Sequence, residues 1–216
     1  MMYLTDRQAS VVHAWWRGLQ PQDGTGAPGS GSIEADTQDR ARPCWFDRGH
    51  RARLRRAASL EQMQAESACF ELRQRMGELT RSPWLDQNDG EWLLLLCGAV
   101  AHVNKDTYDD RSLPMALGRS SALNDVNAMS EMRFRRLLKE EDVESFYRQL
   151  RRALQLASGP INVAQFANDL IAWCAERRSR LNRPDDSMRY RWARDYFLAR
   201  KDLRPADQDI TAVTAN

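Results

Sequence analysis

The chain is poor in the parts from which enzymes and metal sites are usually built. It has only three histidines, His13, His50 and His102, and none stands in an H-E-x-x-H or comparable metal-binding spacing. Its four cysteines, Cys44, Cys69, Cys97 and Cys174, are widely separated and form no C-x-x-C pair, so reduced, structural thiols are expected. The glycine-rich "GTGAPGSG" lacks the lysine and the strand-to-helix context of a phosphate loop. "DQNDGE" has carboxylates without the spacing of a calcium loop. Acid pairs such as Asp109–Asp110, Glu140–Glu141 and Asp185–Asp186 fall where helices begin or end, a capping and dipole position. These absences lead us to expect no catalytic residue, no metal and no cofactor.

Long apolar runs are lacking too. The longest, "WLLLLCGAVAHV" from Trp92 to Val103, has 12 residues, short of the roughly 20 that cross a membrane. It reads as a buried core helix, and no membrane partner is expected. The opening "MMYLTDRQAS" has no basic region followed by an apolar run, so the expected location is cytoplasmic. Strand signals are nearly absent, because no segment sustains apolar–polar alternation.

Helix signals fill most of the sequence. Thr5 and Gln8 make a capping box, and behind it Val11, Val12, Trp15, Trp16 and Leu19 form an amphipathic stripe. Ser59 with Gln62 and Asn162 with Gln165 repeat the capping pattern, and Ser130 and Asp142 open two further helices. "NKDTYDDRSLPMALGRSS" reads as a loop, broken by Pro114 and Gly118. The expectation is an all-α, compact bundle of about eight helices. Residues 1–203 would form one helical domain, with a flexible Gly/Pro-rich insertion at 21–42 and a disordered tail at 204–216. Trp15, Trp16 and Trp173 lie on apolar stripes and are expected in the core.

The net charge is only +2, so no global field marks a nucleic-acid binder. The kind of base is more informative: 29 arginines stand against 3 lysines. Arginine pairs bidentately with phosphate, which lysine cannot do. A GC-rich genome also favours arginine, however, so the count alone decides nothing. The arginines gather in "RARLRRA", "MSEMRFRRLLK", "YRQLRRAL" and "ERRSR", without equal acids inside the clusters. In the third of these, Val143, Phe146, Tyr147, Leu150 and Leu154 cover one helix face, and Arg148, Arg151 and Arg152 gather opposite. Each cluster alone fits a solvated face with ion pairs such as Glu144–Arg148. Four together favour a phosphate-binding surface without base readout.

"AWWRGLQ", "RARLRRA" and the block "LGRSSALNDVNAMSEMRFRRLLKEEDVESFYRQLRRALQLASGPINVAQFANDLIAWCAERR" follow one another in an order that resembles the small subunit (CasB type) of the type I-E CRISPR Cascade surveillance complex. The resemblance covers most of residues 8–200. It implies an all-helical protein with two packed lobes and no catalytic activity. It implies a second copy of the chain as a head-to-tail neighbour, and contacts with the backbone and large subunits of the complex. It further implies a basic path, near the guide RNA–DNA region, for the displaced non-target DNA strand, so that the R-loop is stabilised. Carried over by motif, the nucleic-acid contacts are Arg55 and Arg56 of "LRRA", Arg119 of "LGRS", Arg133 and Arg136 of "MSEMRFRRLL", and Arg151 and Arg152 of "LRRAL". Arg177 and Arg178 join them from a segment that varies among members. A helical scaffold whose arginines mainly make protein–protein contacts stays open as the alternative.

Overall fold

The computed structural model describes residues 3–21, 46, 48–79, 90–119, 127–157, 159–178, 185 and 187–201. The expected insertion, beyond Pro21, and the expected tail lie outside these residues. Among the described residues the chain is helical, without strands apart from an isolated parallel bridge between Asp106 and Ile161. The helices are α1 (Asp6–Leu19), α2 (Arg48–Arg56), α3 (Ser67–Leu79), α4 (Glu91–Ala101), α5 (Leu113–Gly118), α6 (Glu131–Lys139), α7 (Val143–Leu156), α8 (Val163–Arg178) and α9 (Met188–Lys201). The all-α expectation holds.

Local chemistry sets the helix starts. Thr5 and Gln8 close the capping box reciprocally, Asp142 accepts from the Ser145 N–H at 2.8 Å, and Asn162 accepts from Gln165 at 2.9 Å. The sequence reading fails at α5. Pro114 was expected to break the chain, yet it sits in the first turn of a helix whose cap is Ser112. A first-turn proline loses no helical hydrogen bond, because its missing N–H would have had no partner there. Gly118 ends α5 against the Tyr196 backbone carbonyl of α9, where a Cβ would collide.

The bundle is built around α4, whose residues from Leu95 to Ala101 are all buried. Helices α2, α3, α7 and α8 pack on it, while α9 packs on α5, α6 and α8. One continuous apolar cluster joins both groups. Trp15, Trp16 and Trp173 are buried as expected. The first two donate to the Ala68 and Val103 carbonyls, at 2.8 and 3.0 Å. Phe146 stacks on Trp173 at 4.0 Å between centroids, and Phe134 stacks on Tyr196 at 3.9 Å. Cys69, Cys97 and Cys174 are free and buried, and burial pushes the Cys174 thiol up to about 12.

Candidate nucleic-acid interface

Helix α2 is a short run of arginines pinned by few apolar residues. Among its described side chains, Leu54 is the one fully buried. Its C-terminal end is held from α7: the Tyr147 hydroxyl donates to the Ala57 carbonyl at 3.2 Å, and Arg151 Nη2 donates to the Arg55 carbonyl at 3.2 Å. These bonds satisfy carbonyls that a helix end leaves unpaired. Four residues apart, Arg51 and Arg55 share one face of α2. That face meets the C-terminal end of α4.

There Arg51 acts as a side-chain cap for a second helix. Its Nε donates to the Ala101 carbonyl at 3.3 Å, and its Nη2 donates to the Val103 carbonyl at 3.2 Å and to Asn104 Oδ1 at 3.1 Å. Arg55 Nη1 reaches the same Asn104 Oδ1 at 3.5 Å. Arg151 Nε donates to His102 Nε2 at 3.3 Å, and its guanidinium lies over the Tyr147 ring. Burial, then the charges of Arg151, Arg55 and Arg51, bring the His102 pKa down to about 4. The imidazole is therefore a neutral acceptor at physiological pH. Arg51 is lowered by burial and by Arg55, yet from so high a starting value that it stays charged.

Three guanidiniums thus converge with no carboxylate of a described residue paired to them. The expected Glu144–Arg148 pair does not form either. Glu144 instead accepts from the Leu60 N–H at 2.9 Å, and Arg148 donates to Ser145 Oγ. Arg151 was placed on the solvent face of α7, but one turn after Tyr147 it turns inward at the edge of the apolar stripe. Arg56 and Arg152, next in sequence to Arg55 and Arg151, are exposed, and neither pairs with another described side chain.

The remaining candidates lie elsewhere. Arg133 and Arg136 are exposed on α6, and Arg119 is exposed at the end of α5. These helices belong to the group packed on α9. Arg177 and Arg178 sit at the N-terminal end of α4, where both approach Glu91, at 3.4 and 3.8 Å. Arg177 also lies over the Trp173 ring at 4.9 Å. The structure therefore brings Arg55 and Arg151 together, leaves Arg56 and Arg152 exposed next to them in sequence, and keeps Arg177 and Arg178 apart with an acid between them. Sequence reasoning passed over Arg51, His102 and Asn104. The i, i+4 spacing of Arg51 and Arg55 was a legible signal; the other two residues gave none.

Between α6 and α9 runs a groove of about 610 Å³. Leu138, Ala193 and Phe197 supply its apolar lining, and Arg135, Lys139, Arg189 and Glu141 its charges. Among the described residues no group of His, Cys, Asp or Glu could hold a metal ion, and no helix is long and apolar enough to cross a membrane.

Comparison with known proteins finds a family profile, described as CRISPR-associated protein Cse2, that matches residues 50–197. No curated protein sequence matches. Among solved structures, the chain is similar to one from E. coli Cascade bound to a PAM-containing double-stranded DNA target. That likeness has 19% identity and a TM-score of 0.53, covering 89% of this chain and 95% of the other. It is also similar to CasB from Thermus thermophilus, with 22% identity and a TM-score of 0.51, covering 90% of this chain and 99% of the other. At these identities the likeness shows a shared fold.

Proposed function

The chain belongs to the CRISPR-associated Cse2 family, and from that premise we propose that it is the non-catalytic small subunit of a cytoplasmic type I-E Cascade complex, binding nucleic acid through its arginines. Its partners are the backbone and large subunits, a second copy of itself, and the displaced non-target DNA strand beside the guide RNA–DNA region. The observation that carries this reading is the meeting of α2 and α7, where Arg51, Arg55 and Arg151 converge with no carboxylate of a described residue paired to them and Arg56 and Arg152, next in sequence, stand exposed. Opening a duplex onto a guide exchanges two helices of similar stability. Modest backbone contacts to the displaced strand are then enough to tip the balance.

The test is affinity for a labelled single strand and for duplex as a function of salt, in wild type and in Arg133→Glu with Arg152→Glu. We expect a log–log slope approaching about 0.7 per contacted phosphate on single strands, and a smaller slope in the double variant. Equal slopes and affinities in the two proteins would overturn the reading. A second reading, a scaffold whose cations mainly meet acidic surfaces of partner subunits, is favoured by the groove between α6 and α9. Loss of complex assembly on charge reversal at Lys139 and Arg189, with strand affinity untouched, is its signature.

A further inference from the structure

We propose that the open edges of Arg51, Arg55 and Arg151, together with the Asn104 amide, form a preorganised seat for one phosphodiester phosphate of a nucleic-acid strand. This rests on the strand-binding reading above and names the subsite within it.

Three features of the cluster carry the inference. The first is geometry. Each guanidinium has five N–H donors. Arg51 and Arg151 spend Nε and Nη2 on carbonyls, Asn104 and His102, which fixes their planes and leaves Nη1 open. Arg55 spends only Nη1, so most of its fork is open. Asn104 Oδ1 faces the arginines, which turns its Nδ2 donors outward on an exposed residue.

The second feature is charge. The ends of α2 and α4 each contribute about half a negative charge. Two half charges against three whole ones leave a surplus of roughly two, and it is held partly buried, where water screens it less. His102 is neutral and adds no further positive charge. Glu144, about two turns before Arg151 on the same helix, pairs with none of the three arginines, its Oε2 accepting from the Leu60 N–H.

The third feature is the shape of the ligand that fits. Converging forks from α2 and α7 reach a tetrahedral anion from several sides at once, whereas a planar carboxylate offers two oxygens in one plane. Arg56 and Arg152, the next residues along α2 and α7, are exposed to solvent.

The probe is dimethyl phosphate, a phosphodiester monoanion, titrated into the full chain. Arginine Nε–Hε and Asn104 amide signals are followed by NMR, with sodium chloride at matched ionic strength as the reference. We expect the signals of Arg51, Arg55, Arg151 and Asn104 to shift saturably with dimethyl phosphate and not with chloride. In Arg55→Gln the apparent affinity should fall about tenfold, the scale of one charge-assisted contact. That variant keeps the backbone carbonyl to which Arg151 bonds, so the fold is preserved. Arg73→Gln, on the exposed face of α3, should behave as wild type. Shifts no larger than chloride produces, or a response unaffected by Arg55→Gln, would overturn the seat. Oligothymidylate and oligouridylate binding, measured alongside, separate the two levels and tell DNA from RNA. Strand binding without a dimethyl phosphate response ends this proposal and spares the broader one. A dimethyl phosphate response while neither strand binds ends both, because the phosphate assigned to the seat belongs to a strand.

Discussion

At the two ends of α4, arginines meet the same helix under opposite electrostatic conditions. At the N-terminal end, where the helix dipole is positive, Arg177 and Arg178 approach with Glu91 between them. At the C-terminal end, about 15 Å away, Arg51 caps the carbonyls directly, Arg55 and Arg151 join it, and the neighbouring His102 is neutral. The dipole makes the acid unnecessary at one end and necessary at the other. One end therefore sets a carboxylate between its arginines, while the other, among the described residues, has none. An arginine cluster read from sequence says nothing of which kind it is.

The comparison can be broken first by pH, with the largest effect. The folded His102 pKa lies near 4 against an ordinary 6.5, so the unfolded chain takes up a proton in this window that the folded chain refuses. Stability is then full above pH 6.5 and falls as pH drops towards 4, by about 2–3 kcal/mol, the lower figure allowing for solvent screening. Denaturant midpoints at both pH values should show this loss in wild type, and a shallower one in His102→Gln. Equal losses in the two proteins would mean that neither burial nor the arginines raise the cost of a charge there.

An acid placed in the seat should make the two ends alike. Asn104→Asp sets a carboxylate beside Arg51 and Arg55, as Glu91 sits beside Arg177 and Arg178. Single-strand affinity should fall about tenfold, near 1.4 kcal/mol, and the His102 pKa should rise. An unchanged affinity would remove this end of α4 from the strand path.

The mirror change, Glu91→Gln, should have the smallest effect. It takes the carboxylate from between two cations at a partly exposed position, costing stability by no more than about 1 kcal/mol. Strand affinity should rise by a small factor, most visibly at low salt. A tenfold rise would place Arg177 and Arg178 on the strand path already, and a calorimetric melt would record the stability cost.

Much of the fold was legible in the sequence because its signals are local. Capping residues, the stripe of α1, the apolar α4 and the core tryptophans each depend on residues within a few positions of one another. Helix α5 was misread because a proline reads as a breaker wherever it stands, unless the residue before it is recognised as a cap. Part of the candidate site was legible in the same way: "RARLRR" and "LRRAL" announce charge, and their packing puts Arg55 beside Arg151. The inward turn of Arg151, the silence of Glu144 towards Arg148 and the neutral His102 were not legible, since each depends on residues from other helices.

The sequence by itself determined that this chain is a helical bundle rich in arginine, which residues form its core, and which family it resembles. Only the tertiary structure decided which arginines keep a charge to offer. Helix formation depends on spacings of three and four residues, which the chain carries within itself. Neutralisation depends on which carboxylate or helix end lies within a few ångströms, and Glu91 and Arg177 stand 86 residues apart before folding brings them together.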